Sequence, residues 1–206
     1  MLLTRRKMVL GLLSCPVCGQ LSSAEAETGK DESDEWKMIC AMKQVPGIGA
    51  VENTRDGKPE ANRAIGWIMD LVGMRPRIRI LEADFKVDNV ARAVIRGSQR
   101  YVVYDTKWFT FEDNRVSWYS IYILGHEIGH HIYGHTHGFE SGRHRAELDA
   151  DRFGGWVVAR LGGRLDQAVA FTRVFSEKGS KSHPPRNDRI AAIQEGWQAG
   201  KNVMPR

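Results

Sequence analysis

His126-Glu127-Ile128-Gly129-His130 carries the clearest chemistry in the chain. On a helix, residues four apart stand one turn above each other, so His126 and His130 can present both imidazoles to one cation. Glu127 points beside such a cation rather than onto it, where it can take a proton from a metal-activated water. Two imidazoles need a third ligand. Glu147-Leu148-Asp149-Ala150-Asp151 offers one on a second helix: Glu147 can complete a His2Glu set with one position left to water. Asp151, one turn further on, can hold the remaining ring nitrogen of a ligand histidine and fix its tautomer. A one-helix alternative, with glycine at 133 and histidine at 136, fails, because those positions hold Tyr133 and Thr136.

These motifs need particular elements to carry them. Ser117 to Gly134 reads as a helix, apolar nearly all round through Trp118, Ile121, Tyr122, Leu124, Ile128 and Ile132. Such a helix belongs at the centre of a domain. Arg143 to Leu161 reads as the second motif-bearing helix, closed by Gly162-Gly163. Pro59 to Val72, Leu165 to Glu177 and Asn187 to Gln198 read as further helices. Strands are expected at 77–81, 90–95 and 100–104, the last two joined across Gly97-Ser98. The order is helix, small sheet, then helices, which predicts an α+β domain. Trp108, Phe109, Phe111 and Trp118 are expected in the core or the cleft wall. His131, His135, His137 and His144 are expected to serve the helix end, with a second metal site as the weaker reading.

The two metal motifs, followed by Ser182-His183-Pro184-Pro185 and Asp188-Arg189-Ile190, resemble the gluzincin metallopeptidases. The E-x-x-A-D form is similar to the HtpX, Oma and BepA-type group, including its small single-domain members. The resemblance spans about residues 60–198 as a chain of spaced motifs. It implies a zincin-like (minigluzincin) domain, with a small mixed sheet packed on the active-site helix and a helical second half. It implies one Zn2+ held by His126, His130 and Glu147, with Glu127 as catalytic base and Asp151 in support. It further implies that Asn89 to Ile95 forms the edge strand of the cleft, with Asn89, Val90, Ala91, Arg92 and Ala93 pairing to an extended protein or peptide substrate. His183 would approach the cleft to stabilise an oxyanion or to cap the metal. Arg189 would either pair with an acid near the site or remain a surface helix charge. The implied activity is metalloendopeptidase; the alternative is a non-proteolytic, zinc-binding chaperone-like or envelope assembly factor on the same fold. The transmembrane helices and the C-terminal repeat region of larger relatives are not expected here.

The N-terminus reads as an export signal over residues 1–26, with Arg5, Arg6 and Lys7 ahead of an apolar run from Met8 to Val17. Twin-arginine export and lipid attachment at Cys15 are both open, so the expected location is periplasmic or that of a membrane-anchored lipoprotein. The mature chain is expected to lack a spanning helix, with peripheral or lipid-anchored membrane association open. Residues 27–35 read as an acidic linker, and 36–206 as the metallopeptidase domain. The formal charge is +5, and removing Arg5, Arg6 and Lys7 leaves +2. That is too small a charge, with no basic stripe, to indicate a nucleic-acid partner. Of the three cysteines only Cys40 lies beyond the leader, which excludes an internal disulfide in the mature chain.

Overall fold

The computed structural model describes residues 37–38, 53–75, 77–85, 90–112, 115–135 and 142–202. The leader, the acidic linker, Cys40, Asn89 and His137 lie outside the described residues.

The domain is α+β. A five-stranded mixed sheet has the order β1-β4-β5-β3-β2, formed by β1 (Lys37–Met38), β2 (Arg55–Asp56), β3 (Ile78–Ala83), β4 (Ala91–Arg96) and β5 (Gln99–Asp105). β4 and β5 are a hairpin whose turn places Gly97 at a φ of 56°, a left-handed conformation glycine adopts without strain. β5 runs parallel to β3, and β2 pairs antiparallel to β3. β6 (Phe111–Glu112) and β7 (Arg115–Val116) form a separate two-stranded ribbon.

Side chains alternate across the sheet. Ile78, Ile80, Val102 and Tyr104 face the helices and join the main core. Leu81, Ala83, Val94 and Val103 form a second cluster with Phe85 and Tyr101. Arg92 is 1% exposed, with its guanidinium 4.7 Å from the centre of the Phe85 ring.

Among the described residues, β1 covers part of the expected edge strand. β1 pairs outside β4 at Val94 and Ile95, so the outer position there belongs to a strand from ahead of residue 53. Val90 precedes β4, and its carbonyl accepts a hydrogen bond from Asp105 N–H at 2.8 Å. Ala91, Arg92 and Ala93 lie in the part of β4 that the two-residue β1 does not reach.

The helices are α1 (Pro59–Leu71), α2 (Trp118–Ile132), α3 (Arg143–Arg160), α4 (Leu165–Val169) and α5 (Arg186–Lys201). α1 starts with Pro59 at a position where a missing N–H costs nothing, and buries Ala61, Ala64, Ile65, Ile68 and Met69. α2 begins at Ser117, whose hydroxyl caps Ser120 N–H, and is buried continuously from Ser120 to His131. Leu165 to Glu177 is not one helix. α4 gives way to a 3-10 turn over Ala170–Val174, where Thr172 Oγ1 donates to the Val169 carbonyl at 2.7 Å. That bond competes with helix geometry, and the tighter turn buries both Phe171 and Phe175.

Small residues set how closely the helices pack. A Cβ on Gly129 would sit 3.2 Å from Ala150 Cα, and one on Gly125 would sit 3.1 Å from Gly154 Cα. α2 and α3 therefore meet nearly backbone to backbone. α5 meets α3 more closely still, since a Cβ on Gly196 would lie 1.9 Å from the Arg152 carbonyl oxygen. None of the described helices is long and apolar enough to cross a membrane.

Candidate metal centre

The α2–α3 contact brings the first two motifs together. His126, His130 and Glu147 are all buried, and each offers a ligand atom within 4.8 Å of the others. The two imidazole Nε2 atoms are 3.1 Å apart. Glu147 reaches both, with Oε2 3.5 Å from His126 Nε2 and Oε1 3.6 Å from His130 Nε2. This group can hold a metal ion. Two imidazole nitrogens and one carboxylate oxygen are a donor set suited to zinc and other borderline divalent cations.

Asp151 lies behind His126 and is fully buried. Its carboxylate accepts from His126 Nδ1 at 2.9 Å, Tyr122 OH at 2.5 Å, and Arg189 Nε and Nη2 at 2.7 and 2.8 Å. Fixing Nδ1–H of His126 leaves Nε2 for the cage. Arg189 is buried rather than at the surface, lies 3.5 Å from Glu147 Oε2, and stacks 3.8 Å from the centre of the Phe175 ring. α5 can carry it there because the contact at Gly196 leaves no side chain between the two backbones.

Burial disfavours charge throughout the cluster, and the neighbours decide which groups keep it. Burial lowers the pKa of His126, but the Asp151 and Glu147 carboxylates overcome it and lift the value to about 10. Burial and the adjacent His126 charge depress His130 to about 3. Glu147 is held below the usual carboxylate range: burial opposes ionisation, and its hydrogen bond and charge contact with His126 prevail. Burial likewise raises the pKa of Asp151, but Arg189 outweighs it and brings the value to about 2.

Glu127 differs. Burial pushes its carboxyl up to about 7, assisted by the Glu147 charge and opposed by His126 and the Ala93 backbone N–H it accepts. Its Oε2 is buried and has no hydrogen-bond partner among the described residues. A buried carboxylate oxygen without a partner is costly unless something polar occupies the space it faces. A small cleft of about 30 Å³ lies there, lined also by Val90, Ala91, Ile123 and Phe171.

His183 reaches the same cleft from the loop before α5. Its Nε2 is 3.6 Å from Glu147 Oε2, and its Nδ1 is 2.9 Å from Ser182 Oγ. The loop is tightly wound: Gly179 has a φ of 72°, Ser180 Oγ accepts from His183 N–H, and His144 Nε2 donates to the Ser180 carbonyl. Burial lowers the pKa of His183.

Among the site residues expected from sequence, His126, Glu127, Glu147, His183 and Arg189 line this cleft with Val90 and Ala91, while His130 and Asp151 contact His126 without lining it. Arg92 is on the opposite face of β4, and Ala93 contributes through its backbone N–H. Sequence reasoning missed two neighbours. Tyr122 lies one helical turn before His126, a spacing that could have exposed it. His135, expected as a helix-end residue, contacts His130 with the two Nδ1 atoms 3.1 Å apart, and burial lowers its pKa. His131 instead donates from Nε2 to the Tyr101 carbonyl at 2.8 Å, tying α2 to β5. Trp108, Phe109, Phe111 and Trp118 belong to or pack on the main core. No family model, curated protein or solved structure matches the chain.

Proposed function

We propose that the protein is a zinc-dependent metalloendopeptidase with a zincin-like domain, hydrolysing peptide bonds in protein substrates. The observation that carries this reading is Glu127 Oε2, buried with no hydrogen-bond partner among the described residues, beside a His2Glu cage at a small cleft. A purely structural metal site needs no such base and closes its coordination with protein ligands. Bound zinc would supply Lewis acidity, bringing the pKa of water near 7 and polarising the scissile carbonyl.

The chain's own residues supply the rest. His126, His130 and Glu147 hold the ion, with Asp151 fixing the His126 tautomer. Glu127 takes a proton from the attacking water and passes it to the leaving amine. A substrate strand laid against the Ala91 end of β4 would bring its carbonyl between Glu127 and His183. There the His183 ring can donate to the developing oxyanion. The N-terminal pattern supports export to the periplasm or to a lipid-anchored form, and the mass of the native N-terminus tests this.

Glu127→Gln is the decisive variant. It is expected to retain zinc, measured by metal analysis, and to lose cleavage of an internally quenched peptide library by at least ~100-fold. Undiminished cleavage by this variant would overturn the assignment. The position of His183, 3.6 Å from Glu147, favours one other reading, in which His183 closes the cage and the protein is a non-proteolytic assembly factor. His183→Ala would then raise rather than lower hydrolysis.

A further inference from the structure

His130 and His135 present Nδ1 to Nδ1 at 3.1 Å, with the rings edge to face and their centroids 5.3 Å apart. Both are buried, at 0% and 8% exposure. Two ring nitrogens at that separation are joined by one proton, so one donates and the other accepts. The far side of His130 decides which. Its Nε2 faces Glu147 and His126 in the ligand cage, and a nitrogen that binds a metal carries no proton. A neutral imidazole then has its only N–H at Nδ1. His130 is therefore the donor, His135 Nδ1 is the acceptor, and the proton of His135 sits on Nε2.

We propose that His135 is a positioning residue of the metal centre, holding the tautomer and ring plane of His130 as Asp151 holds those of His126. The inference rests on His126, His130 and Glu147 being metal ligands. The chain path that allows it is local. α2 ends at Ile132, and Gly134 turns at a φ of 74°, which brings His135 back under the last turn of the helix. Tyr133 covers it from the other side, with ring centroids 5.6 Å apart. The two second-row acceptors differ in charge. Asp151 is an anion balanced by Arg189, whereas His135 is neutral and places no further negative charge near Glu147. Support of this kind raises ligand basicity and restricts the ring, and its loss typically weakens metal binding about 10- to 100-fold.

The test uses the full chain and zinc itself. His135→Asn places an amide oxygen where Nδ1 stood, while His135→Leu has nearly the same shape and no acceptor. Zinc dissociation constants from chelator competition should weaken about 10- to 100-fold in His135→Leu and recover most of that loss in His135→Asn. The visible spectrum of the cobalt-substituted protein should shift in the leucine variant and stay near wild type in the asparagine one. Zinc should raise the melting temperature of the wild type and the asparagine variant more than that of the leucine variant, because the acceptor acts on the metal site. If the leucine variant does not fold, His135→Phe takes its place. Equal zinc affinity in all three proteins, or equal weakening in both variants, overturns the role of His135. Absence of stoichiometric zinc from the wild type is a different result, and overturns the metal reading itself.

Discussion

Arg189 and Asp151, 38 residues apart in sequence, meet in full burial through two near-parallel hydrogen bonds of 2.7 and 2.8 Å. The pair fastens the start of α5 to the middle of α3, directly behind His126. Removing one partner of a buried ion pair strands the other's charge, at a cost of about 3–5 kcal/mol. Arg189→Leu should therefore lower the melting temperature by roughly ten degrees in thermal denaturation. Arg189→Lys keeps the charge without the planar fork and should fall between the two.

Metal removal should be visible as lost stability. A ligand that binds only the folded state at one hundred times its dissociation constant stabilises by about 2.7 kcal/mol. Calorimetry with and without chelator should show a lower melting temperature in the chelated sample, restored by zinc. In Glu147→Ala the two scans should nearly coincide, because a cage ligand is gone.

Two glycines should respond oppositely to alanine. A methyl on Gly196 would meet the Arg152 carbonyl oxygen at 1.9 Å and force α5 off α3, so Gly196→Ala should cost at least ~1–3 kcal/mol. Gly66, inside α1, has nothing within 4 Å of an added Cβ. Gly66→Ala should gain about 0.5–1 kcal/mol from helix propensity alone. Urea denaturation of the two variants checks both signs.

Alkaline stability should be limited by buried tyrosines. Burial pushes Tyr119 up to about 12 and also raises Tyr104. A group whose pKa is higher folded than unfolded favours the fold below its unfolded value, and that contribution is lost as pH rises towards the folded one. Unfolding free energy should therefore decline from about pH 10 to 12. Tyr119→Phe, which keeps the ring contact with Phe171, should flatten the decline.

Much of the fold could be read from local pattern. The spacing around Trp118 and Ile128 marks a helix apolar on most sides, and the histidines interrupting it mark the candidate metal centre. Glu147 could be placed by motif, and its side chain does face both imidazoles. Features created by non-local contact could not be read. β1 and β2 are two residues long and exist only because β4 and β3 pair with them. The break between α4 and the 3-10 turn follows from a threonine hydroxyl turning back onto its own backbone. His135 lies past the end of α2, where helical periodicity has stopped and only the left-handed turn at Gly134 says which way the ring will go. The burial of Arg189 depends on the approach of α5 to α3, which no spacing within α5 reveals.

The contact of Gly129 with Ala150 bears on the spacing of the cage. The two walls that carry the donors touch at main-chain distance, so no change of rotamer between them can widen the gap. Backbone radii thus fix the spacing of the two helices that carry His126, His130 and Glu147.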